Sequence, residues 1–145
     1  MPQDNGISTV PHVIQLSVAP VFLLSGIGAM IAVMTNRLGR IVDRARVLEG
    51  KLPTDPALAE AAHQELLTLS QRARETGHAI TLCTVTALLV CGVIVLLFLG
   101  AFLKFDASIP AAVLFVAAML AFMAGLVLFV REVMVATATL RIGHH

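Results

Sequence analysis

Tryptophan and tyrosine are missing from this 145-residue chain. The aromatic belts that usually mark the two boundaries of a membrane span are therefore absent, and any interfacial anchoring falls to Arg, Lys, His12, His78 and the phenylalanines. Charge is scarce as well: 13% of residues are charged against 58% hydrophobic, which excludes a water-soluble globular chain. There are only two cysteines, Cys83 and Cys91. On one helix they stand about 12 Å apart along the axis, too far for a disulfide. Residues 1–11 hold no Lys or Arg, so the charged start of a cleavable signal peptide is missing and the first apolar stretch is expected to be retained. No proline occurs between Pro56 and Pro110, which leaves room for one long unbroken helix.

What the chain does have is three stretches free of Asp, Glu, Lys and Arg: Leu16–Met34, Ala79–Leu103 and Ile109–Val130. Each approaches or exceeds the roughly 20 residues that a helix rising about 1.5 Å per residue needs to cross about 30 Å of hydrocarbon. Nine of the ten basic residues fall on one side of these stretches, with Lys104 alone in the link between the second and third. The positive-inside rule then puts the N-terminus outside and the C-terminus in the cytoplasm. The expected organisation is an extracytoplasmic tail over 1–11, transmembrane helix 1 over 12–36 and a cytoplasmic hairpin over 37–78. Helix 2 follows over 79–103, a short outer turn over 104–108, helix 3 over 109–130 and a cytoplasmic tail over 131–145.

The segment between the first two spans carries its own design. From Leu38, apolar residues recur at Ile41, Val42, Ala45 and Leu48, a helical period. Helix 1 is thus expected to run on past the membrane, ending where Gly50 offers a left-handed cap and Pro53 forbids continuation. Asp55 reads as an N-cap with Pro56 in the first helical position. Leu58, Ala62, Leu66, Leu69 and Ala73 then form a seam that suits Ile41, Ala45 and Leu48 in an antiparallel hairpin. Gly77 costs this helix about 1 kcal/mol relative to Ala, yet the pattern predicts an unbroken run from Pro56 to about Leu103. Phe105, Asp106 and Ala107 turn the chain, Ser108 caps, and Pro110 suits the first turn of span three. The expected fold is an all-α membrane protein, three transmembrane helices with a cytoplasmic antiparallel hairpin between the first and second.

The run Val13-Ile14-Gln15-Leu16-Ser17-Val18-Ala19-Pro20-Val21-Phe22-Leu23-Leu24-Ser25-Gly26-Ile27-Gly28 is followed by Thr35-Asn36-Arg37-Leu38-Gly39-Arg40-Ile41-Val42-Asp43-Arg44-Ala45-Arg46-Val47-Leu48-Glu49. These residues resemble the signature of a family of small three-span bacterial membrane proteins described as a domain of unknown function. The likeness covers about residues 10–140. It implies a bacterial cytoplasmic membrane, three spans and an intracellular helical hairpin, and it implies no reaction.

At about 100° per residue, Gln15, Ala19, Phe22, Gly26, Ala29, Val33, Asn36 and Arg40 fall within about 60° of one line on helix 1. The stripe is polar at both ends and mostly small between them, which suits either a helix–helix seam or the wall of a pore in a symmetric oligomer. A second line, Ser17, Val21, Leu24, Gly28, Ala32 and Thr35, is nearly as small. Pro20 removes the amide that would serve the Leu16 carbonyl, so it reads as a static bend or a hinge. Arg37, Arg40, Asp43, Arg44, Arg46 and Glu49 form the densest charge cluster, with i,i+3 pairs at Arg40/Asp43, Asp43/Arg46 and Arg46/Glu49. It serves as an orientation signal and a lipid-attracting face, or as a ring of charge around a symmetry axis. Ala117, Ala121 and Gly125 form a small-residue ridge at intervals of four on span three, and Thr81, Thr84 and Thr86 are expected to return their hydroxyls to the preceding turn.

Enzyme chemistry finds little support. His12, His63 and His78 lack companions at metal-ligand spacing, Gly26-Ile27-Gly28 lies within an apolar span rather than a phosphate loop, and His144-His145 reads as a loose end or a purification remnant. No cofactor is expected. The hairpin balances six acidic against seven basic residues without aromatics, which argues against nucleic acid. The apolar stretches hold no Asp, Glu, Lys, Arg or His, which argues against an ion-coupled transporter. Membrane lipids and further copies of the chain are the expected partners. Two functions then stand: a homo-oligomeric ion channel lined by helix 1, or a non-conducting interaction or scaffold protein whose hairpin binds a cytoplasmic protein.

Overall fold

The computed structural model of the chain describes residues 5–51 and 54–142, with side chains over 10–51 and 54–138. Pro53, His144 and His145 lie outside the described residues. Three helices are present, α1 (Asn5–Gly50), α2 (Pro56–Leu103) and α3 (Ser108–Ile142). Each is long and apolar enough to cross a membrane. Helix α1 continues through Pro11 and Pro20, and α2 passes Gly77 without a break. Helix α3 remains helical twelve residues beyond Val130, over part of the stretch expected as a tail.

The start of α2 follows the sequence expectation. Asp55 Oδ1 accepts from the Ala57 N–H at 3.2 Å, and the Asp55 carbonyl accepts the first helical bond from the Ala59 N–H at 2.8 Å. Two other caps differ. No glycine among the described residues has a positive φ, so Gly50 is not a left-handed cap. The helix instead tightens, with the Lys51 N–H donating to the Leu48 carbonyl at 3.3 Å, a three-residue closure that satisfies an end carbonyl without a left-handed residue. The left-handed residue is Lys104, at φ 56°, where the chain leaves α2. At α3 the capping oxygen belongs to Asp106 rather than Ser108. Asp106 Oδ1 accepts from the Ser108 N–H at 3.0 Å and from Ser108 Oγ at 2.6 Å, while the Ala107 carbonyl accepts from the Ala111 N–H at 2.9 Å. A carboxylate accepts more strongly than a hydroxyl, so the serine becomes a donor. The same two bonds hold the Asp106 carboxyl below its ordinary pKa.

The chain divides into two compact units, Met1–Met30 with Leu82–Met123 and Ile31–Thr81 with Ala124–His145. In the first, Val13, Ser17 and Ile27 of α1, Cys83, Val90 and Val93 of α2, and Ala111 and Ala118 of α3 are buried. Gly100 is buried where the turn folds back, and a Cβ there would meet the Ala107 Cβ at 2.7 Å. In the second unit the buried residues are Met34 and Ile41 of α1, Ala62, Leu69, Thr76 and Ala79 of α2, and Gly125 and Glu132 of α3.

The inward positions keep one period. On α1 they fall at Val13, Ser17, Pro20, Leu24, Ile27, Ile31, Met34, Leu38, Ile41, Ala45 and Leu48, all buried or half-buried and alternating by four and three. This is the 3.5-residue repeat of closely packed helices. On α3 the buried line is Ala111, Ala118, Gly125 and Glu132, seven apart. The expected ridge at intervals of four does not hold: Ala117 is exposed, Ala121 half-buried and only Gly125 buried. Steps of four advance about 40° around a helix each time and leave the packed face, whereas steps of seven stay on it. The expected hairpin seam is buried only in part. Ala62 and Leu69 are buried and Leu66 and Ala73 half-buried, but Leu58 is exposed.

Candidate functional site

Glu132 is the acidic residue of α3 and falls on its buried line, where its side chain is 1% exposed. An ionised carboxylate at such a site is tolerated only with charged partners. Two arginines supply them from the other two helices. Arg72 of α2 donates from Nε at 3.2 Å and from Nη2 at 2.9 Å, both to Oε1. Arg37 of α1 brings Nη2 to 2.9 Å from Oε2. That second contact is an ion pair off the hydrogen-bonding axis, for Oε2 has no aligned donor. The Arg37 guanidinium also lies 5.5 Å from the centre of the Phe129 ring, three residues before Glu132 on α3. An aromatic face and a carboxylate together hold this cation. On the same helix the buried Thr76 Oγ1 donates to the backbone carbonyl of Arg72 at 2.9 Å, which satisfies the hydroxyl within α2.

One carboxylate thus joins all three helices outside the apolar stretches, with Arg37 three residues after Met34, Glu132 two after Val130 and Arg72 seven before Ala79. Removing one member of such a buried set leaves an uncompensated charge, worth about 3–5 kcal/mol. The apolar stretches themselves hold no Asp, Glu, His, Lys or Arg, as the sequence reads, but burial continues two residues beyond the third. Sequence reasoning missed Glu132 for that reason. The signal was there in its spacing of seven from Ala111, Ala118 and Gly125.

The expected charge cluster disperses. Arg37 goes to Glu132, and Arg44 reaches across to Glu65 of α2 with Nε at 3.2 Å and Nη2 at 3.1 Å. Arg40, Asp43, Arg46 and Glu49 are exposed and make none of the three expected i,i+3 ion pairs. Such pairs are worth only about 0.2–0.5 kcal/mol on a helix surface, too little to hold long side chains in one rotamer. Arg46 and Glu49 line a groove of about 610 Å³ with His63 and Ser70 above a floor that includes Ile41, Leu66 and Leu69.

Every residue of the helix 1 stripe is exposed: Gln15, Ala19, Phe22, Gly26 and Ala29 in the first unit, Val33, Asn36 and Arg40 in the second. Phe22 is 73% exposed, and the space where a Cβ would stand on Gly26 or Gly28 is open. Of the second line only Ser17 is buried and Leu24 half-buried. Pro20 is buried and α1 is not interrupted there. Thr81 and Thr86 donate to the Gly77 and Leu82 carbonyls at 2.9 and 2.8 Å, as expected.

Three apolar helices, with charge buried only past the ends of their apolar stretches, define an integral membrane protein. The chain belongs to the family described as protein of unknown function DUF2721, whose pattern it matches over residues 17–142. No curated protein and no solved structure matches it.

Proposed function

We propose that the protein is a homo-oligomer of the cytoplasmic membrane, with its N-terminus outside, that closes into a ring around an ion path lined by α1. The observation that carries this reading is the exposure of the whole Gln15–Arg40 stripe. The opposite face of α1 is already occupied by its own bundle, so the stripe is left to lipid or to another subunit. Gln15 and Asn36 are side-chain amides at or beside hydrocarbon, and they gain most from a neighbouring subunit or from water in a pore. Open space at Gly26 on the stripe suits close approach of a second backbone.

The ion pairs sharpen which arginine would act. Arg37 is tied to Glu132 and Arg44 to Glu65, whereas Arg40 has no ion pair among the described residues. In a ring, one Arg40 per subunit would attract anions to the inner mouth. The test is conductance of purified protein in a planar bilayer. Arg40→Glu is expected to shift the reversal potential toward cations, by less as added salt shortens the Debye length from about 10 Å at 0.1 M. Arg46→Glu, six residues on and off the stripe, is expected to shift it less. A folded oligomer that passes no protein-dependent current overturns the channel.

The second reading is a non-conducting interaction protein whose cytoplasmic hairpin binds a partner. It is favoured by the groove between α1 and α2, where an apolar floor meets a rim of Arg46, Glu49 and His63.

A further inference from the structure

A small cavity of about 130 Å³ lies in the second unit, lined by Thr68, Gln71, Arg72 and Glu75 of α2 and by Arg131 and Val135 of α3. Thr68, Gln71, Arg131 and Val135 are exposed, so it opens to the surface and can admit one compact polar group. Three features suit it to a ligand. Arg72 turns Nε and Nη2 to the buried Glu132, which leaves its Nη1 hydrogens without a carboxylate on a guanidinium whose orientation is already set. Arg131 directly follows the last residue of the third apolar stretch and has no ion-pair partner among the described residues. Glu75 supplies an acidic group to the same cavity, and it too has no ion pair with Arg72 or Arg131.

Two arginines and an amide that share a lining with one carboxylate do not match a simple anion, which Glu75 would repel. They match a zwitterion. We propose that this cavity binds the phosphoethanolamine group of an aminophospholipid. Arg72 Nη1, Arg131 and Gln71 take the phosphate oxygens, and Glu75 accepts from the ammonium. Thr68 Oγ1 already donates to the Gln64 carbonyl at 3.1 Å, so it retains only acceptor capacity, which suits the ammonium as well. The position agrees with the chemistry, since Arg131 stands where the apolar stretch ends and headgroups begin. Glu132 is a positioning residue here: it orders Arg72 before the ligand arrives, so less side-chain freedom is lost on binding. This assignment does not rest on ion conduction.

The test uses the full-length protein, delipidated in detergent, titrated with phosphatidylethanolamine, phosphatidylcholine or phosphatidylglycerol and read by native mass spectrometry. The wild type is expected to bind phosphatidylethanolamine most tightly. Arg131→Gln is expected to weaken it about tenfold, the loss of a charge-assisted contact. Glu75→Gln is expected to remove the preference over phosphatidylcholine, whose ammonium cannot donate, while leaving phosphate binding in place. Both residues lie outside the Glu132 ion pairs, so the fold is retained. Soluble O-phosphoethanolamine should displace the lipid if the headgroup is what is read. Equal displacement by inorganic phosphate, tighter binding of phosphatidylglycerol by the wild type, or unchanged affinity in both variants would overturn the assignment.

Discussion

The two units of this chain are built from the same three helices but held by different physics. In the unit of Met1–Met30 and Leu82–Met123 most buried positions are small or aliphatic, such as Ile27, Val90, Ala111 and Ala118, and several hydroxyls serve local turns. Ser25 and Thr86, for example, return their hydroxyls to carbonyls four residues back. In the unit of Ile31–Thr81 and Ala124–His145, charge crosses between helices. Every ion pair among the described residues lies there. Where lipid replaces water, apolar side chains gain nothing by leaving solvent, so close packing of small residues must do the work. Past the apolar stretches water returns, and arginines can reach a carboxylate without each being stranded in hydrocarbon.

The largest expected effect breaks the second unit at its centre. Glu132→Ala leaves Arg37 and Arg72 without their common partner and should lower stability by about 3–5 kcal/mol, measured by unfolding in detergent. Hydrogen exchange should place the loss in Ile31–Thr81 and Ala124–Ile142 while the helices of the first unit remain protected. A uniform loss over both units would remove the distinction between them.

The matching test of the first unit is steric. Gly100→Ala puts a methyl group 2.7 Å from the Ala107 Cβ, where neither atom is the end of a flexible side chain. Overpacking of this kind costs about 1–3 kcal/mol, so the melting temperature in micelles should fall without any change in its salt dependence. A neutral outcome would mean that the turn over 104–107 is free to move away.

A smaller effect sharpens the contrast within the second unit. The Arg44–Glu65 pair is more than 40% exposed on both sides, and exposed pairs contribute about 0–1 kcal/mol. A double-mutant cycle of Arg44→Ala and Glu65→Ala should therefore give a coupling well below that of Arg72 with Glu132. Equal couplings would show that burial is not what gives the Glu132 site its strength.

The smallest effect is local and depends on pH. Asp106 has its carboxyl held below the ordinary range by the Ser108 hydroxyl and amide. A depressed folded pKa gives stability that is present above the unfolded value, about 3.9 for Asp, and lost as pH falls through the folded one. The first turn of α3 should fray in acid, read as lost protection of the Ala111 amide. Asp106→Asn, which keeps an acceptor oxygen but does not titrate, should abolish that pH dependence.

Much of the backbone was legible in the residues. Asp55 and Pro56 start α2 where a side-chain acceptor and a preset φ favour it, and the absence of proline up to Pro110 allows α2 to run unbroken to Leu103. The caps at Gly50 and Ser108 were misread because several residues there could satisfy the same helix-end groups. Choosing among them depends on the path of the turn. The Ala117–Ala121–Gly125 ridge failed for a related reason: spacing of four identifies neighbours on a helix, but only the packed partner decides which line of neighbours faces inward.

The candidate site was legible by halves. Arg37 and Arg40 stood out as members of a basic cluster, and the exposed stripe from Gln15 to Arg40 was drawn from the helical wheel alone. Which of those arginines is compensated was not available, because the partners are on other helices. Hydropathy, capping and proline placement act over a few residues, so the sequence by itself determined three apolar helices and most of their limits. The tertiary structure alone decided that Glu132 meets Arg72 from 60 positions away and Arg37 from farther still. Ion pairing depends on distance through space, and only the packing of three helices brings those atoms within 3 Å of one another.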